Sequence, residues 1–224
     1  MILSNFIKNK MEQIKKIAVI GGTGKSGKYL VKQLLDQGFH IKMLVRNPER
    51  RPIQNASVEV ITGDVTDYER VHTLVDGCDA VMSTLGLGLP PSEPTIFSLA
   101  ARHITQAMDA CGVRRYIVVT GLNVDVPSDQ KGHKTKSATD WMYANYPKST
   151  ADKQLEYRIL SESKLDWTLV RLPLIEQTDA RAIVSISLED CPGDKISATD
   201  LAHFFIEQLT DNTYIRKAPF IANV

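Results

Sequence analysis

The sequence has no long apolar run, no excess of either charge and little cysteine. None of its apolar stretches approaches the roughly 20 residues that a helical membrane span needs, so no membrane partner is expected. A net charge of +1 over 224 residues gives no overall field to gather nucleic acid or anionic lipid. The one basic cluster, Lys131, His133, Lys134 and Lys136, reads as a solvated loop. Three cysteines, Cys78, Cys111 and Cys191, are odd in number and widely spaced, which argues against a disulfide framework. They suit a reducing compartment, and a cytoplasmic location is expected. Neither the cysteines nor the scattered histidines stand at metal-ligand spacing, so no metal is expected.

What is present is an ordinary globular composition, 43% hydrophobic and 24% charged, in a chain long enough for one sizeable core. The opening residues, Met1–Lys10, are too interrupted by Asn and Lys for a secretion signal. Residues 1–14 are therefore read as an N-terminal extension and 15–224 as one domain. From Lys16 onward, short apolar runs alternate with helical patterns. Strands are expected at Lys16–Ile20, Ile41–Val45, Val58–Ile61, Asp79–Thr84, Arg115–Thr120, Asp166–Arg171 and Ile183–Leu188. Helices are expected at Ser26–Gln37, Thr95–Cys111 and Ala151–Glu162, with another after Ser197, whose hydroxyl is placed to cap it. Strands that are apolar throughout, alternating with helices, predict a doubly wound α/β fold. Its mostly parallel sheet would have six to seven strands and helices on both faces. The stretch Leu122–Thr150 has little period and reads as a long excursion, with a short helix near Trp141.

The most informative segment follows the first strand: Gly21-Gly22-Thr23-Gly24-Lys25-Ser26-Gly27. Its G-x-x-G-x-x-G spacing suits a dinucleotide turn. The first glycine lets the chain leave the strand sharply. The second lets a pyrophosphate approach the backbone, and the third lets helix and strand pack closely. Thr23, Lys25 and Ser26 complete the loop, and amides at the helix start would bind the phosphates. Gly24-Lys25-Ser26 also looks like the end of a P-loop, but the required earlier glycine is Val19, inside the strand. The second strand ends Val45-Arg46-Asn47, with Arg50 beyond and no carboxylate at its tip. A guanidinium there would meet a ribose 2′-phosphate, so NADP(H) is expected over NAD(H).

These features, with Gly63-Asp64-Val65, Leu85-Gly86, the run Leu165-Asp166-Trp167-Thr168-Leu169-Val170-Arg171-Leu172-Pro173 and the ending Ile196–Phe204, resemble the atypical short-chain dehydrogenase/reductases. Within that superfamily the chain is most similar to the NmrA-like NAD(P)-binding group and to the biliverdin-IX-beta reductase (NADPH-dependent flavin reductase) branch. The resemblance implies a Rossmann fold and a role for each residue that matches. Asp64 and Val65 would meet the adenine. Thr84, Leu85 and Gly86 would line the path to the nicotinamide ribose, together with Ser83. Thr120 would end the fifth strand beside the nicotinamide. Pro173 and Leu174 would shape the loop against its carboxamide.

The same resemblance locates a departure. Most members use Tyr-x-x-x-Lys and a serine on the fifth strand. Here the lysine position falls on Lys153, the tyrosine position on Ser149 and the serine position on Gly121. Thr120 and Lys153 are then the candidate catalytic residues, and Tyr157, one turn beyond Lys153, reads as a packed side chain. Two readings stay open. One is an NADPH-dependent reductase of a planar conjugated acceptor such as a flavin, quinone or tetrapyrrole, for which hydride transfer is the demanding step. The other is an NADP(H)-binding redox sensor without turnover. A small-molecule acceptor is the expected partner, and the protein is expected to be a monomer or weak homo-oligomer.

Overall fold

The computed structural model describes residues 14–50, 54–88 and 91–224, the Arg50 side chain apart. Of the N-terminal extension only Ile14 falls within them. Strand β1 (Lys16–Ile20) lies at the centre of the sheet, pairing in parallel with β2 (His40–Val45) on one side and β4 (Ala80–Ser83) on the other. Ile17 and Val19 face one layer of helices while Ala18 and Ile20 face the other, and all four are buried. Covering on both faces is why the run carries no polar residue after Lys16.

The remaining elements follow in chain order: α1 (Gly27–Asp36), β3 (Val58–Thr62), α2 (Tyr68–Val75), α3 (Ile96–Cys111), β5 (Arg115–Gly121), α4 (His133–Asn145), α5 (Pro147–Glu162), β6 (Asp166–Leu172), β7 (Leu174–Glu176), β8 (Val184–Ser187), β9 (Lys195–Ser197), α6 (Ala198–Glu207) and β10 (Phe220–Asn223). Among the described residues the main sheet has eight strands, ordered β3-β2-β1-β4-β5-β6-β10-β8. All its pairings are parallel except β10 with β8. Helices α1 and α6 cover one face; α2, α3 and α5 cover the other. The parallel α/β architecture is the expected one. It holds one more strand than six to seven because the short run Phe220–Asn223 enters between β6 and β8. A separate parallel ribbon, β7 with β9, follows the end of β6.

Several local signals act as read. Ser197 Oγ accepts from Asp200 N at 2.9 Å, capping α6. Gly112 ends α3 with a left-handed φ of 71°. Two readings change. Helix α2, missed above, is capped by Asp67, whose Oδ1 accepts from Glu69 N at 3.0 Å and Arg70 N at 3.3 Å. The excursion Leu122–Thr150 is mostly helix: α4 runs into α5, which starts at Pro147 rather than Ala151. Proline suits that first helical turn because its missing N–H has no helical acceptor there.

Candidate functional site

Strand order reverses between β1 and β4, and the glycine turn leaves β1 at that point. Gly21 has φ +77°, and Gly24 N donates to Gly21 O at 2.8 Å to close the bend. A Cβ on Gly21 would lie 2.7 Å from the Thr84 backbone, and one on Gly27 would lie 2.1 Å from Gly21 O. The turn is thus packed backbone against backbone, with no room for a side chain at either position. Ser26, buried, precedes α1 without capping it through its hydroxyl, and Lys25 is exposed beside it. The opening amides of a helix have no intrahelical acceptor, which makes this cradle fit a diphosphate.

On the β4 side, Thr84 N donates to Ile20 O at 2.9 Å and brings Thr84, Leu85 and Gly86 against the turn. A Cβ on Gly86 would meet nothing within 4 Å, so this loop is open where the bend is closed. At the β2 tip, Arg46 stands half exposed. Its Nη1 donates to Ser92 Oγ at 3.0 Å, and its Nε lies 3.8 Å from Asp64 Oδ2. Asp64 Oδ1 also accepts from Thr66 N at 2.9 Å, and Val65 O lies 3.0 Å from His103 Nδ1. Arg46, Asp64 and Val65, assigned separately to the adenosine end, therefore come together. Arg50 closes a short 3-10 turn, Pro48–Arg50; its side chain and Arg51 lie outside the described residues.

At the other end, Thr120 is buried near the tip of β5, and its Oγ1 has no hydrogen-bond partner. Beyond β6, Pro173 leads into β7, and Leu174 is 71% exposed. Lys153 lies on α5 with its Nζ 3.9 Å from the centroid of the Phe97 ring. Burial depresses its pKa, against the pull of Glu156 and Asp152. Ser149 turns its hydroxyl back to Tyr146 O at 3.3 Å. Tyr157 packs edge-on against Trp167, 6.1 Å between centroids, as a packed side chain should.

Three residues that the sequence reading passed over belong to this region. Asp152 Oδ2 accepts from Phe97 N at 2.9 Å and Ser98 N at 3.0 Å, tying α5 to the start of α3. Glu156 is buried with Oε2 unpartnered. Burial raises its pKa to about 7, Lys153 pulling it down and Asp152 pushing it up. Asn123, two residues past β5, is buried with Nδ2 unpartnered. A helical period does not single out Asp152 or Glu156, and Asn123 sits in a stretch read as a loop.

A cavity of about 370 Å³ opens at the opposite, amino end of the sheet, lined in part by Cys78, Cys111, Arg114 and Asp166. It holds none of the residues assigned above. Among the described residues no group of His, Cys, Asp and Glu could hold a metal, and no helix is long and apolar enough to cross a membrane.

A family described as NAD(P)H-binding matches residues 21–212. The chain is 27% identical over 177 residues to a (4-alkanoyl-5-oxo-2,5-dihydrofuran-3-yl)methyl phosphate reductase from Streptomyces griseus, covering 79% of this chain and 51% of that protein. It is 26% identical over 118 residues to cinnamoyl-CoA reductase 1 from Arabidopsis thaliana, covering 48% and 34%. The chain thus spans about half of the first relative's own length and about a third of the second's. A short-chain dehydrogenase/reductase from Veillonella parvula, solved in complex with NADP, superposes with a TM-score of 0.77 at 19% identity, covering 93% of this chain and 94% of that one. The fold is shared with that protein, the glycine turn lies at the reversal of strand order, and the family match runs from that turn nearly to the C-terminus: the chain belongs to the NAD(P)H-binding family.

Proposed function

We propose that this protein is an NADPH-dependent reductase that passes hydride to a planar, electron-poor acceptor of flavin, quinone or tetrapyrrole type. The observation that carries this reading is the pairing of a cofactor cradle with a serine, Ser149, at the position where the resemblance puts the proton-donating tyrosine. The turn Gly21–Gly27 has no room for a side chain at Gly21 or at Gly27. Ser149 stands where a tyrosine would protonate a substrate oxygen, and its hydroxyl is turned back to Tyr146 O, just ahead of its own helix. Bound NADPH would supply the hydride. Gly21, Gly24, Lys25, Ser26 and Gly27 would hold the diphosphate, and Thr23 would complete that loop. Arg46 would face the 2′-phosphate, with Arg50 near it, while Asp64 and Val65 would hold the adenine. Thr84, Leu85 and Gly86 would flank the nicotinamide ribose. Thr120, with its unpartnered hydroxyl, Pro173 and Leu174 would border the nicotinamide. Lys153 would bind the ribose hydroxyls, swinging from the Phe97 ring to do so. The chain's contribution to rate is then positioning and exclusion of water, with the proton taken from solvent.

Two measurements test this. Purified protein mixed with NADPH and FMN, riboflavin or quinones is expected to oxidise NADPH well above the uncatalysed rate. Tight NADPH binding with no oxidation on any acceptor would move the protein to the sensor reading. In a titration, Arg46→Ala is expected to weaken NADP binding by roughly 1.5–3 kcal/mol, the size of one charge-assisted contact, and to leave NAD nearly unchanged. Equal loss for both coenzymes would remove the NADP preference.

A further inference from the structure

Asn123 is a buried carboxamide whose donor has nothing to bond. Only 2% of the residue is exposed, and Nδ2 has no partner. An amide N–H shut away from water and left unpaired costs about 1–3 kcal/mol, and such groups are rare in folded proteins. The neighbouring backbone groups already have partners of their own. Val124 N donates to Gly121 O at 3.2 Å, and Leu122 N to Leu172 O at 2.9 Å. Val124 O in turn receives Arg171 Nη1 at 3.1 Å and Lys131 Nζ at 3.2 Å, both from buried side chains.

The neighbouring glycine explains where the carboxamide lies. A Cβ on Gly121 would stand 2.2 Å from Asn123 Oδ1 and 3.3 Å from Cγ. Asn123 therefore fills the volume that a side chain at 121 would take, at the tip of β5 and three residues beyond Thr120. Thr120 Oγ1 is the other unpartnered group there. The O and N of a carboxamide are nearly the same size, so a half-turn of the group presents the donor on either side.

We propose that Asn123 is the hydrogen-bond donor to a carbonyl oxygen of the acceptor, which makes the acceptor a carbonyl-bearing ring such as a quinone or an isoalloxazine. This rests on the reductase reading above. Charge gathers on that oxygen as hydride arrives at the conjugated ring, so the hydrogen bond it accepts from Nδ2 strengthens towards the transition state. The donor then acts mainly on kcat, and the acceptor's oxygen takes its proton from water afterwards.

The test compares wild type, Asn123→Ala, the isosteric Asn123→Asp, and the double variant Gly121→Ser/Asn123→Ala. NADPH affinity is read by nucleotide fluorescence, and kcat and KM with FMN and a 1,4-naphthoquinone. Both single variants are expected to bind NADPH within about twofold of wild type while kcat falls roughly tenfold to a hundredfold. The double variant is expected to recover most of that loss, because the serine hydroxyl enters the space that Asn123 vacates. Unchanged kcat in the single variants overturns the assignment, and so does a fall in NADPH affinity as large as the fall in kcat. Wild-type protein that binds NADPH but reduces neither acceptor overturns it while leaving the dinucleotide site intact. Wild-type protein that binds no NADPH sinks the reductase reading itself. Should Asn123→Ala lose its melting transition, Asn123→Asp, which keeps the volume, decides.

Discussion

Gly27 has its Cα over the carbonyl of Gly21, and a methyl group there would stand 2.1 Å from that oxygen. The obstacle is backbone, so no rotamer change relieves it. Gly27→Ala is expected to destabilise the protein by about 1–3 kcal/mol, the usual cost of overpacking, and to abolish dinucleotide binding as the turn is pushed open. Urea denaturation and an NADPH titration check the two halves, and wild-type affinity in this variant would contradict the account. Glu156 offers a different residue-scale test. Its carboxyl ordinarily titrates at 4.5, and burial raises that to about 7 in the folded protein. Between those values the folded chain holds a proton that the unfolded chain has lost. The stability tied to this group is therefore complete below about pH 4.5 and falls as pH rises through 7, by as much as about 3 kcal/mol. The charged groups that act on it are Lys153 and Asp152 on its own helix, and its own charge in turn raises the Tyr116 hydroxyl on β5. Glu156→Gln is expected to flatten the fall in urea midpoint between pH 5 and 8 and to be the more stable protein at pH 8. An identical slope in both proteins would place the titration elsewhere.

At the scale of elements, Arg171 does for β6 what no apolar residue could. It is fully buried and its Nη1 lies 2.7 and 2.8 Å from the two oxygens of Asp129. Its Nε donates to Ala218 O at 2.8 Å, and the guanidinium stacks 3.5 Å over the Phe220 ring. One side chain thus joins β6, the turn after β5 and the approach to β10. Arg171→Ala is expected to cost about 3–5 kcal/mol, because Asp129 stays behind with its charge nearly buried. Arg171→Met with Asp129→Leu is expected to cost less than the sum of the single changes, measured by guanidinium chloride denaturation. This network also shows where sequence reading stops. The run Leu169-Val170-Arg171-Leu172 is legible as a strand from its apolar neighbours, but the arginine's partner lies 42 residues away. Strand β10 was missed for a related reason. Its place between β6 and β8 depends on pairing with distant strands, not on any local period. Helix α4 buries only Thr135 and Thr139, so it has no apolar stripe to announce it. By contrast β1, α1 and the bend between them were legible, since their burial, capping and glycine demands are all local. The glycines and Arg46 could be found that way; Asn123 could not, because only the folded turn leaves its amide unpaired.

Across the whole molecule, the sheet is two halves that meet between β1 and β4, and the proposed ligand lies over both. Arg46, Asp64 and Val65 belong to the β1–β2–β3 half; Thr120, Lys153 and Pro173 belong to the β4–β5–β6 half. The glycine turn sits at the seam. A ligand bound across the seam engages both ends at once, so its second contact forms at the high effective concentration set by the first. Adenosine 2′,5′-bisphosphate, which holds only the first half's groups, and nicotinamide mononucleotide, which holds only the second's, are each expected to bind weakly. Intact NADP is expected to bind more tightly than the bisphosphate by about a hundredfold or more. At a hundred times its dissociation constant it should stabilise the fold by about 2.7 kcal/mol, seen as a rise in melting temperature. If the bisphosphate alone matches NADP in both affinity and melting shift, the β4–β5–β6 half takes no part in binding. The nicotinamide end as drawn here would then be wrong, even with Arg46 and the glycine turn correctly placed.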